Sequence, residues 1–99
     1  MPRLLDDEEI TRQLRDLPAW TRDGTVLRRT VEAPDFPTAI TIVNDLADVA
    51  EAMDHHPDID IRWRTLHLAL STHSAGGITQ YDVELAHRID EIARDHAAS

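Results

Sequence analysis

The stretch Glu51-Ala52-Met53-Asp54-His55-His56-Pro57-Asp58-Ile59-Asp60-Ile61-Arg62-Trp63 changes its apolar period part-way along, and that change decides the fold. Upstream of the change, Phe36, Ala39, Ile40, Val43, Leu46, Ala47, Ala50 and Met53 recur at helical spacing, and Asp35 is placed to cap the helix. The helix must stop near Asp54, because Pro57 cannot continue the hydrogen-bond ladder and biases His56 away from helical angles. From Asp58 the period is two. Ile59, Ile61 and Trp63 share one side, and the phase then shifts so that Leu66, Leu68 and Leu70 take the buried side. This predicts either a second hairpin turning near Arg64-Thr65 or one bulged strand.

Working outward, Trp20-Thr21-Arg22 and Thr25-Val26-Leu27-Arg28-Arg29-Thr30-Val31 read as two strands joined by a tight Asp23-Gly24 turn. Before them, Ile10, Leu14 and Leu17 form a helical stripe behind an acidic run that suits a helix N-terminus, and Pro18 ends it. After the leucine strand, Ser74-Ala75-Gly76-Gly77 is a turn, and Thr79 can cap a last helix with the stripe Leu85, Ala86, Ile89, Ile92 and Ala93. The order is α-β-β-α-β-β-α. Hairpins with helices between them, and no parallel crossover, predict an α+β fold: a four-stranded antiparallel sheet with three helices packed on one face. No repeat or linker divides residues 1–99, so one domain is expected.

Composition excludes several classes of function. The chain has 99 residues, no cysteine, and 19 acidic against 10 basic residues, for a formal charge of −9. Such a field repels phosphate backbones and anionic lipid, so neither direct nucleic-acid binding nor membrane association is expected. The first residues offer only Leu4-Leu5 before an acidic run, which draws neither a signal peptide nor a span and predicts a cytoplasmic protein. A core this small makes a homo-oligomer an expectation too.

The chemistry-bearing residues gather around the period change. His55 and His56 stand adjacent at a helix-to-strand junction, where packing rarely needs them, and Glu51 lies one helical turn before His55. A histidine at a helix C-terminus beside carboxylates is a candidate proton donor. His73 sits at a strand-to-turn boundary beside two glycines, where a ligand can approach the backbone. His67 has the same parity but lies roughly 20 Å away along the strand, and reads as a sheet-face histidine. Asp82 has the capping-box position relative to Thr79. Trp63 reads as packing, and His87 and His96 as surface residues without partners. A metal centre is the rival use of the histidines, but there is no cysteine ligand and no His-Glu-x-x-His helix.

Glu51, His55-His56-Pro57, Trp63, His73 and Asp82, together with Ser71-Thr72-His73 and the Ala75-Gly76-Gly77 turn, follow one another at a spacing that resembles the signature of the pterin-4a-carbinolamine dehydratases. The likeness is close from Glu51 to Asp82; before Ala50 it rests on element order and on Trp20 opening a strand. The resemblance implies dehydration of 4a-hydroxytetrahydropterin to quinonoid dihydropterin, in tetrahydropterin regeneration, with neither metal nor organic cofactor. It implies that His55 and His73 are the acid/base histidines and that His56 binds substrate. Glu51 then orients His55, Asp82 orients His73 or the pterin, and Trp63 packs against the pocket wall. The pterin is the expected partner, in a homodimer or homotetramer. Some relatives of this fold dock on proteins in transcriptional regulation, so a non-catalytic binding module is the alternative.

Overall fold

A computed structural model of the chain describes residues 2–99. The elements run α1 (Asp7–Leu14), β1 (Thr21–Asp23), β2 (Val26–Glu32), α2 (Phe36–Met53), β3 (Asp58–Arg62), β4 (Thr65–Leu70) and α3 (Gln80–Asp95), with a single 3-10 turn at His73–Ala75. This is the expected α+β order. The sheet is antiparallel throughout, with strand order β1-β2-β4-β3. The two hairpins therefore meet through β2 and β4, in the register Leu27↔Leu70 and Val31↔Leu66.

Each helix starts where the sequence supplies a cap. The Asp6 carboxylate accepts the Glu9 N–H at 2.8 Å and the Glu9 carboxylate accepts the Asp6 N–H at 3.0 Å, which closes a capping box on α1. Asp35 caps α2 through the Thr38 N–H at 2.8 Å. At its other end Asp54 adopts left-handed angles (φ 49°, ψ 43°), tolerable for aspartate, and the His55 N–H still reaches the Ala50 carbonyl at 3.0 Å. This reversal ends the helix at Met53, four residues before Pro57, and turns His55 back toward α3.

The helix-facing side of the sheet carries Leu27, Val31, Leu66, Leu68 and Leu70, all buried against Ile42 and Leu46 of α2 and Val83, Leu85 and Ile89 of α3 in one hydrophobic cluster. Each fully buried leucine contributes about 1.5–3 kcal/mol. The core-facing line of α2 is Ala39, Ile42, Leu46 and Ala50. Phe36, Ile40 and Ala47 fall outside it and are exposed.

Three local expectations are corrected. Asp23 pairs with Val26, so the first turn is Gly24-Thr25 rather than Asp23-Gly24, with Gly24 supplying the positive φ. The second hairpin pairs Arg62 with Thr65 and turns at Trp63-Arg64. Trp63 consequently leaves the strand with a φ of 56° instead of continuing the side shared by Ile59 and Ile61. His96 is not partnerless: its Nε2 lies 2.7 Å from Asp45 and ties the end of α3 to α2. Among the described residues no helix is long and apolar enough to cross a membrane.

Candidate active site

Two neighbouring histidines point in different directions, and each finds a different carboxylate. The left-handed Asp54 sends His55 inward, where its Nε2 lies 2.6 Å from Asp82 Oδ1. Asp82 is completely buried in the first turn of α3. Its other oxygen, Oδ2, accepts the Thr79 N–H at 2.9 Å and the Thr72 hydroxyl at 2.8 Å. The capping interaction read from the sequence is thus present, and the same carboxylate also holds a histidine. An ionised Asp82 can only accept, so the His55 proton sits on Nε2, a tautomer assigned from the hydrogen bonds.

Nδ1 is then the free nitrogen of His55. It has no hydrogen-bond partner among the described residues and is not a buried orphan, so it reaches solvent through the 11% of the side chain left exposed. The Tyr81 ring lies 5.8 Å from the imidazole, tilted by 38°, and covers one side of it.

His56 points outward, with Nε2 2.6 Å from Glu51 Oε1 in an exposed pair. Glu51 therefore holds His56, not His55, and Asp82 holds His55, not His73. The helical spacing of Glu51 and His55 does not bring them together because the chain has already left helical geometry at Asp54.

His56 and His73 line the same cleft, of about 220 Å³, with Thr25, Val26, Asp58, Ser71 and Gly76 among its other walls. The cleft lies at the end of the sheet where β2 begins, β4 finishes and β3 starts. Ser71 closes one wall by donating its hydroxyl to the Thr25 carbonyl at 2.8 Å. Gly76, at φ 75°, caps the 3-10 turn that carries His73, and its N–H bonds back to the Thr72 carbonyl at 2.9 Å. The volume is below the usual range for drug-sized ligands, roughly 300–1,000 Å³, and suits a small flat molecule rather than a dinucleotide. His55 does not line this cleft; it precedes His56 in the chain, as Thr72 precedes His73.

Trp63 is not at the cleft. It sits at the far end of the β3–β4 hairpin, about 15 Å from Asp58 by the rise of a strand, and is 86% exposed beside Phe36 and Arg64. His67 lies on the open face of the sheet, its Nδ1 3.3 Å from the Thr30 hydroxyl. Sequence reasoning passed over Thr72 and Tyr81. The signal for Thr72 was its parity: it continues Leu66, Leu68 and Leu70, so a hydroxyl stands where the strand puts side chains inward.

The fold and this geometry define a class: a small α+β protein whose sheet end carries imidazoles, one of them held by a buried carboxylate, in a constellation suited to proton transfer. The family model for pterin 4 alpha carbinolamine dehydratase matches residues 3–92, and the chain belongs to that family. A relative from Nocardia farcinica that carries the family name pterin-4-alpha-carbinolamine dehydratase is 58% identical over 91 residues, covering 92% of this chain and 96% of its own. One of the same name from Roseiflexus castenholzii is 55% identical over 93% of this chain and 99% of its own. A crystal structure from Brucella melitensis, described as a transcriptional coactivator/pterin dehydratase, superposes with a TM-score of 0.87 at 31% identity, covering 90% of this chain and 97% of that one.

Proposed function

We propose that this protein is a hydro-lyase that dehydrates 4a-hydroxytetrahydropterin to quinonoid dihydropterin, acting in the cytoplasm in tetrahydropterin regeneration. The observation that carries the reading is a small cleft lined by His56 and His73, with the His55–Asp82 pair one residue before His56 in the chain. Balance requires the C4a–O bond to break and the N5–H proton to leave, forming the C4a=N5 double bond and water. One group must protonate the departing hydroxyl while another accepts the N5 proton, and neither step needs a covalent intermediate.

His55, with Nε2 held by Asp82, presents Nδ1 as one proton-transfer atom. A buried acceptor that fixes the tautomer and orientation of an imidazole is the arrangement that makes histidine an effective acid or base. His73, exposed on its short turn, supplies the second imidazole, and His56 contacts the ring from the cleft wall, steadied by Glu51. A positioned acid or base contributes about 10²–10⁴-fold each.

The test is the loss of chemically generated 4a-carbinolamine, followed by absorbance with purified protein. A rate above buffer that falls at least a hundredfold in His55→Ala and His73→Ala, with each variant still folded, is the expected result. A time course identical to buffer would sink the reading. A second reading, a protein-docking module, draws on the coactivator description of the Brucella melitensis structure and on the exposed Phe36, Ile40, Ile59, Ile61 and Trp63. Retention of partner function in a His55→Ala/His73→Ala double variant favours it.

The exposed Ile59 and Ile61 on β3, an edge strand exposed along its whole length, and Trp63 beside Phe36 at its far end support a homodimer or homotetramer as the working assembly.

A further inference from the structure

We infer that Thr72 is a positioning residue of the acid–base site, setting the orientation of Asp82 and through it the proton-transfer atom of His55; the inference rests on the dehydratase reading for its kinetic part only. The hydrogen bonds around Thr72 admit a single direction. Its hydroxyl has one proton, and that proton goes to Asp82 Oδ2 at 2.8 Å. The contact of 2.7 Å between the Thr72 and Thr79 hydroxyls must then be Thr79 donating to Thr72. Thr79 also gives its backbone N–H to Oδ2 at 2.9 Å. Oδ2 thus holds two donors, which leaves Oδ1 as the oxygen that faces His55 Nε2 at 2.6 Å.

A helix cap does not explain this network. The cap of α3 needs the Thr79 N–H and the Asp82 carboxylate, and both are in place without Thr72. Nor does the strand call for a hydroxyl, since residues of this parity are leucines in β4. What the hydroxyl adds is a second donor on Oδ2 beside the Thr79 N–H, in a carboxylate whose other oxygen faces His55. Thr72, Thr79 and Asp82 are all buried, so no water competes for these bonds, and linked buried hydrogen bonds reinforce one another.

The backbone of Thr72 is equally well held. Its N–H reaches the Gly77 carbonyl at 2.8 Å, and its carbonyl accepts the Gly76 N–H at 2.9 Å. This turn also carries His73, the next residue. A single rigid residue therefore links the support of His55 to the turn that places the second imidazole in the cleft.

The test compares Thr72→Val, Thr72→Ala and Thr72→Ser in carbinolamine dehydration and in the NMR titration of the His55 ring. Val and Ala also leave the Thr79 hydroxyl without its acceptor and should lower stability; in the folded variants kcat should fall about ten- to hundredfold, with KM within about twofold. Without the Thr72 donor, negative charge concentrates on Oδ1, which favours the imidazolium, so the His55 titration and the matching limb of the kcat–pH profile should move to higher pH. Ser keeps the hydroxyl and should restore both. Wild-type kcat and an unmoved His55 titration in folded Val or Ala variants would overturn the inference, as would Ser being as impaired as Val. A wild type inactive on the carbinolamine, whose His55 titration nevertheless moves in Thr72→Ala, would remove the dehydratase reading and uphold the positioning role.

Discussion

His55 and His56 share a peptide bond yet live in different electrostatic settings, and their variants should differ accordingly. The Asp82 that holds His55 is fully buried, whereas the Glu51 that holds His56 is mostly exposed. An exposed pair is worth about 0–1 kcal/mol, so Glu51→Gln should leave thermal stability nearly unchanged and raise KM no more than severalfold. Asp82→Ala leaves the Thr79 N–H, the Thr72 hydroxyl and the His55 ring without their acceptor. It should cost about 3–5 kcal/mol in denaturant unfolding and abolish most turnover. Asp82→Asn keeps the shape but turns one acceptor oxygen into an NH2 donor, so either His55 Nε2–H or the Thr79 N–H and Thr72 hydroxyl lose their acceptor, and kcat should fall with little change in KM. An Asp82→Asn enzyme with normal kcat would show that the carboxylate serves only the helix.

The elements are held by capping groups and by one buried ion pair, and each gives a prediction. Hydrogen bonds from Thr38 keep the Asp35 carboxyl below the usual carboxylate range. The hydrogen bond from Arg3, followed by that from the Asp6 backbone, lowers Glu9 to about 2. Both carboxyls are depressed in the folded state, so the stability they confer is present above the ordinary carboxylate range and lost as pH falls through their folded values. Asp35→Ala should therefore lower Tm at pH 7, and the gap from wild type should close as the pH drops from about 5 toward 2. A gap that stays constant across that range would show that the carboxylate charge has no part in the cap.

The buried pair lies elsewhere: Arg29 of β2 contacts Asp90 of α3, and Asp90 also accepts the Trp20 indole N–H at 2.8 Å. Asp90→Ala strands the Arg29 charge on the inner face of the sheet and should cost about 3–5 kcal/mol. Replacing Arg29 and Asp90 together by apolar residues should recover much of that loss, because an unpaired buried charge costs more than no charge at all.

At the scale of the molecule the asymmetry lies in what is left uncovered. β1 and β3 are the two edges of the sheet, and β3 has Ile59 and Ile61 on its helix side, both exposed, with Trp63 protruding beside Phe36 at the end of its hairpin. If this flank is the assembly surface, sedimentation at micromolar concentration should give a mass above the monomer. A charged residue at Ile61 or Trp63 should then shift the mass toward one chain without lowering the far-ultraviolet helix signal. A wild-type monomer would remove the oligomer from the proposal.

Much of this architecture was legible along the chain because it is local. The helix start at the acidic run, those at Asp35 and Thr79, and the stop ahead of Pro57 depend on atoms a few residues apart. The burial of Leu66, Leu68 and Leu70 follows from the period of a strand. The histidines, Glu51 and Asp82 were visible as a spacing, and so was the family they resemble. Partner choice was not, because a side chain's neighbour across the fold depends on angles that a spacing does not carry. One left-handed residue, Asp54, sends His55 to Asp82 and leaves Glu51 to His56; one turn at Trp63-Arg64 carries the tryptophan away from the cleft. The joining of the two hairpins through β2 and β4, the Arg29–Asp90 contact and the Thr72–Asp82–His55 chain are long-range, and only the packed chain decided them.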